Sequence, residues 1–279
     1  MRPVVLLALL AACTPTEDET PEATGGGLPA GVSTWDGTVE VGGRTFLATF
    51  ALTVDGGDVT GDATFRDDPA APAGFGEGTF TVRGTHEPTS GLLALAPYGW
   101  TTEPAFPSEL LGFIGTYDAD ADALSGTIVD YATGDDNTLL GGPATATRTS
   151  GDGAPVEPGD SANGLAAGDH TLAGTVTCTG PERGVVAAFT YDGAGGVEGT
   201  MTIGDTDVSS PLGTFGFTGV HNPATGSLTL VPGTWTEYTR SVLTFFIHGR
   251  YDTATGAYDG DQLSNVDVCP RDMWATVID

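Results

Sequence analysis

Residues 84–101, GTHEPTSGLLALAPYGWT, align without a gap on residues 219–236, GVHNPATGSLTLVPGTWT. The constant offset pairs Gly84 with Gly219, His86 with His221, Gly91 with Gly226, Pro97 with Pro232, and Trp100 with Trp235. Upstream, Gly78-Thr79-Phe80 matches Gly213-Thr214-Phe215 at the same offset. Downstream the offset slips by one, and GTYDADADALSG from Gly115 matches GRYDTATGAYDG from Gly249. Agreement over such lengths marks a tandem duplication, so the chain carries two copies of one module.

Each copy is written in short runs of Thr, Val, Phe and Ile with a period near two, split by Gly, Asp, Asn and Pro. Examples are VVAAFTY, GTFGFTGVH, SLTLV and VLTFFIHGRY. Such runs are half-buried strands, and no window shows a sustained helical period. Stretches such as His221–Gly226 and Tyr251–Gly256 are short loops ending in Gly, the signature of hairpins. The fold class expected is therefore all-β: two tandem antiparallel meanders, each a seven- or eight-stranded barrel or sandwich. The modules are placed at 32–148 and 170–279. The Gly, Pro, Asp and Ala stretch 149–169 is read as a linker.

The chain opens MRPVVLLALLAAC. One Arg, a brief apolar run and small residues before Cys13 are the parts of a secretory signal, here residues 1–12. The apolar run is far short of the roughly 20 residues that span a bilayer. Leu10-Ala11-Ala12-Cys13 resembles the lipobox of bacterial lipoproteins. That resemblance implies cleavage before Cys13, lipidation of its thiol, and membrane attachment through the lipid. Thr14, rather than Asp, follows the cysteine. By the same resemblance this implies the outer membrane of a Gram-negative cell envelope. Residues 13–31, rich in Pro, Thr, Glu and Gly, are expected to form a flexible acidic tether.

There are 37 acidic residues against 9 basic ones, for a net charge of −28. Nucleic-acid binding needs a basic footprint, and none is present. Cys178 and Cys269 both lie in copy two. The first copy has Val41 opposite Cys178 and lacks a cysteine near Gly141–Gly142, opposite Cys269. Joint absence and joint presence predict a disulfide, which an exported location permits. Closing a loop of about 90 residues is worth on the order of 4 kcal/mol in the chain-entropy account.

Candidate sites are few. His86 and His221 each stand two residues before a Pro at a turn, where a polar side chain usually serves local backbone groups. No G-x-S-x-G, H-E-x-x-H or phosphate loop occurs, so no catalytic residue is assigned and no cofactor is expected. Asp118, Asp120 and Asp122 alternate in one loop and are a weak calcium candidate. The EF-hand positions for Gly and Glu hold Ala123 and Val129, and copy two keeps only Asp252 of the three carboxylates. A solvated hairpin loop is the alternative reading. Trp100 and Trp235 are possible ligand-binding residues, since an exposed indole can stack on a sugar ring. In a small barrel such a Trp more often fills the core.

The pattern of copy two, Gly-x-Val-x-Cys, then Gly-x-Phe, then Pro-x-Thr-Gly-x-Leu-x-Leu-x-Pro with a following Trp and a late Cys, resembles a small β-rich module. That module recurs in secreted proteins and lipoproteins of high-GC, myxobacterial-type bacteria. The resemblance implies export and a β fold, and transfers no catalytic residue. Copy one departs from it by lacking both cysteines. The expectation is a non-enzymatic, lipid-anchored envelope protein displaying two β modules for binding or structural interaction with a glycan or protein partner. A carbohydrate- or small-ligand-binding surface lipoprotein is the alternative, and a hydrolase the weaker one.

Overall fold

The computed structural model describes residues 26–70, 72, 74–104, 110–131, 141–176, 182–205, 208–239 and 244–263. Cys13, Cys178 and Cys269 lie outside the described residues, as does the signal segment.

Copy one comprises β1 (Gly31–Val41), β2 (Arg44–Asp55), β3 (Asp58–Asp67), β4 (Glu77–Glu87), β5 (Leu92–Thr102), β6 (Gly112–Asp118), β7 (Ala123–Val129) and β8 (Gly142–Ser150). Each strand pairs antiparallel with the next, and β1 also pairs with β8 to close a barrel. Copy two comprises β9 (Gly168–Val176), β10 (Arg183–Tyr191), β11 (Gly196–Gly204), β12 (Pro211–His221), β13 (Ser227–Tyr238), β14 (Phe246–Asp252) and β15 (Ala257–Leu263). These form a seven-stranded sheet in the same up-and-down order. The stretch matching β8 in this copy lies outside the described residues.

Alternation sorts side chains between interior and exterior. In copy one Trp35, Phe50, Phe65 and Phe80 point inward and are buried. Their rings meet edge to face, with Phe65 and Phe80 centroids 5.4 Å apart and Trp35 and Tyr117 5.5 Å apart. Copy two repeats the arrangement with Phe215 against Trp235 at 5.1 Å. A barrel of this strand number is just wide enough for its side chains to fill, and large residues fill it here. Gly84 and Gly219 allow the close approach that this coiling demands: a Cβ on either would overlap the carbonyl oxygen of the next strand, Ala94 or Thr229. Gly91 and Gly226 close equivalent turns at φ of 74° and 75°, a conformation that favours glycine.

The two copies pack on each other through the outer faces of β4–β5 and β12–β15. Val220, Val231, Phe246 and Leu263 of copy two belong to the same apolar cluster as the core of copy one. Docking follows an approximate two-fold relation. The turn after His221 meets copy one at Gly57, where a Cβ would overlap the Asn222 amide. The matching turn after His86 meets copy two at Gly195, against which Glu87 packs. Asn222 Nδ2 donates to the His86 carbonyl oxygen at 2.7 Å. Near the axis, equivalent positions touch directly. Gly112 faces its own counterpart Phe246, whose ring fills the space a Gly112 side chain would need. A symmetric pair would clash with Phe in both places and leave a hole with Gly in both, so the divergence of the copies improves their fit.

Two expectations about connecting segments need correction. The tether was expected to run to residue 31, yet Leu28 is wholly buried. Its partner segment lies in the stretch read as a linker: Ala30 N–H donates to the Ala154 carbonyl and Val156 N–H to the Leu28 carbonyl. Leu165, also in that stretch, is buried as well. A single apolar residue has no period to detect. What orders it is a polar anchor formed by distant chain, described next.

Candidate functional site

The paired histidines of the repeat turn inward at one end of each module. Leu28 N–H donates to His86 Nε2 at 2.9 Å, and His86 Nδ1 meets the Leu92 carbonyl at 3.0 Å. Leu165 N–H donates to His221 Nε2 at 3.0 Å, and His221 Nδ1 meets the Ser227 carbonyl at 3.0 Å. An accepting Nε2 and a carbonyl at Nδ1 fix each ring as the neutral Nδ1–H tautomer. Burial pushes both rings down to about 4 from the ordinary 6.5. Each imidazole thus fastens the segment that precedes its module. The local turn role expected from sequence is joined by this longer-range one.

His170 Nε2 meets the Ala166 carbonyl at 2.6 Å. Among the described residues no histidine is hydrogen bonded to an Asp or Ser side chain. Trp235 is buried at 3 % exposure, and Trp100 is half-buried at the equivalent place against Phe80. Both indoles extend the aromatic interior rather than forming an exposed pair. The three loop carboxylates do not converge. Asp118 Oδ1 accepts from the N–H groups of Asp120 and Ala121, capping the turn. Asp122 accepts from Tyr117 Oη and pairs with Arg148 at 2.7 Å. Among the described residues no group of three or more His, Cys, Asp or Glu is placed to hold a metal ion.

The fourth histidine is where polar chemistry gathers. His248 lies on the outer face of β14, which turns toward copy one. It lines a cleft of about 550 Å³ with Arg83, Arg250, Asp259 and Asp261. Arg83 stacks over the Tyr98 ring at 4.0 Å and reaches Asp261 at 3.4 Å. Tyr98 Oη donates to the same Asp261 oxygen at 3.1 Å. Arg250 pairs with Asp58, so a residue of each copy holds a residue of the other. Burial, and then the charges of Arg83 and Arg250, push His248 down to about 4.

Behind His248 runs a chain of hydroxyls that crosses between the copies. Ser227 Oγ lies 2.7 Å from Thr85 Oγ1, Thr85 Oγ1 lies 2.8 Å from Thr229 Oγ1, and Thr229 Oγ1 lies 2.9 Å from His248 Nδ1. All three hydroxyl residues are wholly or almost wholly buried. If each hydroxyl donates toward His248, every proton has an acceptor and the chain ends on the Nδ1 lone pair. The reverse direction would leave the Ser227 proton buried without one, at a cost of roughly 1–3 kcal/mol. The satisfied direction makes His248 a neutral ring with its Nε2–H open to the cleft.

The repeat brings His86 and His221 to notice, but not His248, the two arginines or Asp261. A signal was present in the repeat. At the downstream offset His248, Arg250, Asp259 and Asp261 replace Ile114, Thr116, Ser125 and Thr127, and Arg83 stands where copy two has Thr218. Charged residues appear where the copies disagree. No protein-family model, curated protein or solved structure matches the chain.

Proposed function

We propose that this chain is a lipid-anchored cell-envelope protein, held in the outer membrane of a Gram-negative bacterium through Cys13, whose two β modules act as one non-catalytic binding body. The observation that carries the reading is the filled interior. With Trp35, Phe50, Phe65 and Phe80 packed inside the closed barrel, ligands and partners are met on the outer surface and not in a lumen. The contacts between copies support action as a unit. The lipobox-like sequence at residues 10–13 supplies the anchor. Expression of the full chain with an alkyne analogue of palmitate tests the anchor. Label and membrane fractionation are expected for the native chain, and neither for Cys13→Ser. An unlabelled native chain in the soluble fraction would overturn it.

A second reading, a carbohydrate- or small-ligand-binding surface lipoprotein, is favoured by a specific feature. The cleft between the copies concentrates two arginines, two aspartates and an available imidazole N–H. Mixed donors and acceptors in a concave place are what ligand sites are made from.

A further inference from the structure

Resting on that second reading, we propose that the cleft lined by Arg83, His248, Arg250, Asp259 and Asp261 is a binding site for a neutral saccharide.

Docking of the two copies engages Arg83 with Asp261 and Arg250 with Asp58, while His248 and Asp259 are left lining the cleft. In the repeat alignment Thr218 of copy two corresponds to Arg83. There Ile114, Thr116, Ser125 and Thr127 take the places of His248, Arg250, Asp259 and Asp261. Within copy one, β5, β6 and β7 pair with one another without a formal charge at Ile114, Thr116, Ser125 or Thr127. In a chain with only 9 basic residues, two arginines in one cleft are a concentrated use of a scarce type.

The donor and acceptor set selects the ligand. With Asp58, the partner of Arg250, two guanidiniums face three carboxylates, and His248 is neutral. The cleft thus offers strong donors and strong acceptors side by side with no excess of positive charge. A hydroxyl group both donates and accepts, so vicinal hydroxyls match carboxylate and guanidinium together. The net charge of −28 opposes the approach of an acidic sugar or a phosphate. The groups are also held in place before a ligand arrives. Arg83 lies over the Tyr98 ring, Asp261 receives the Tyr98 hydroxyl, and the buried hydroxyl chain orients His248. A volume of about 550 Å³ falls within the range of small-ligand sites, the size of one or two sugar rings.

The full chain, solubilised in detergent, is applied to an array of neutral, acidic and amino glycans. The strongest hit is then titrated calorimetrically against the native chain, Arg250→Ala and Asp259→Asn. Asp259 is exposed, so Asp259→Asn should keep the native melting temperature, whereas Arg250→Ala also removes the ion pair with Asp58 and is titrated only at a temperature where its melting curve shows it folded. Binding to neutral glycans, weakened tenfold or more by each variant, is the expected result. Binding of acidic or amino glycans alone would overturn the ligand class. Neutral-glycan binding that both variants leave intact would overturn the cleft while sparing the second reading. An array without any bound glycan would overturn both. The lipid-labelling result stands apart from all of these outcomes.

Discussion

Acidification should loosen this protein through His86 and His221, by an amount that the structure allows to be worked out. Both rings are buried, accept one backbone N–H and sit opposite one backbone carbonyl, and each is held near 4 against 6.5 in an unfolded chain. Below pH 6.5 the unfolded chain takes up two protons that the folded chain refuses until about pH 4. Stability is therefore fully present above 6.5, falls as pH drops through that window, and levels off below it. The shift corresponds to about 3 kcal/mol for each ring, roughly 6 for the pair, with a slope approaching 1.4 kcal/mol per pH unit per ring. His248, held near 4 by burial and by Arg83 and Arg250, titrates in the same window and is present in both proteins compared below. Protonation of the many carboxylates works against this trend by relieving repulsion, so a comparison with a variant is required. Urea unfolding is measured at half-unit steps from pH 7.5 to 4 for the native chain and for His86→Gln/His221→Gln. The variant should be less stable at pH 7.5, and the gap between the two proteins should narrow by several kcal/mol on approaching pH 4. Parallel curves for the two proteins would refute the assignment of these rings as buried, neutral fasteners.

Two further outcomes are expected. Phe246→Ala removes the ring that fills the space over Gly112 and packs edge to face on Tyr131 at 5.1 Å, so it should cost about 3–5 kcal/mol in urea unfolding. A loss below 1 kcal/mol would contradict its place between the copies. Mass spectrometry of the unreduced chain should find Cys178 and Cys269 in one linked peptide pair. Two alkylatable thiols at those positions would contradict the disulfide.

The duplication was legible because its strongest marks are short and local. Pro, Gly and Trp recur at one offset, and period-two runs stand between Gly-ended turns. These marks carry the strand order, the hairpins and the all-β class without any knowledge of distant contacts. They also bring His86 and His221 to notice, and a turn role for them is half of what the structure shows. The other half, the hold on Leu28 and Leu165, could not be read from the chain. It joins residues 58 and 56 positions apart through one hydrogen bond each. Trp235 illustrates a different gap: its spacing is the same whether the indole stacks on a sugar or fills a core, and only packing against Phe215 separates the two.

The sequence by itself determined that the chain is a doubled β meander with acidic surfaces, because alternation and turn chemistry are properties of neighbouring residues. Only the tertiary structure decided that the first copy closes as a barrel, and that the copies dock face to face. It also brought Arg83 of one copy beside His248 and Asp261 of the other. The physical reason is that these outcomes depend on which outer face meets which. That choice rests on close approach at Gly57 and Gly112 and on buried hydroxyls such as Thr85, whose partners lie far along the chain.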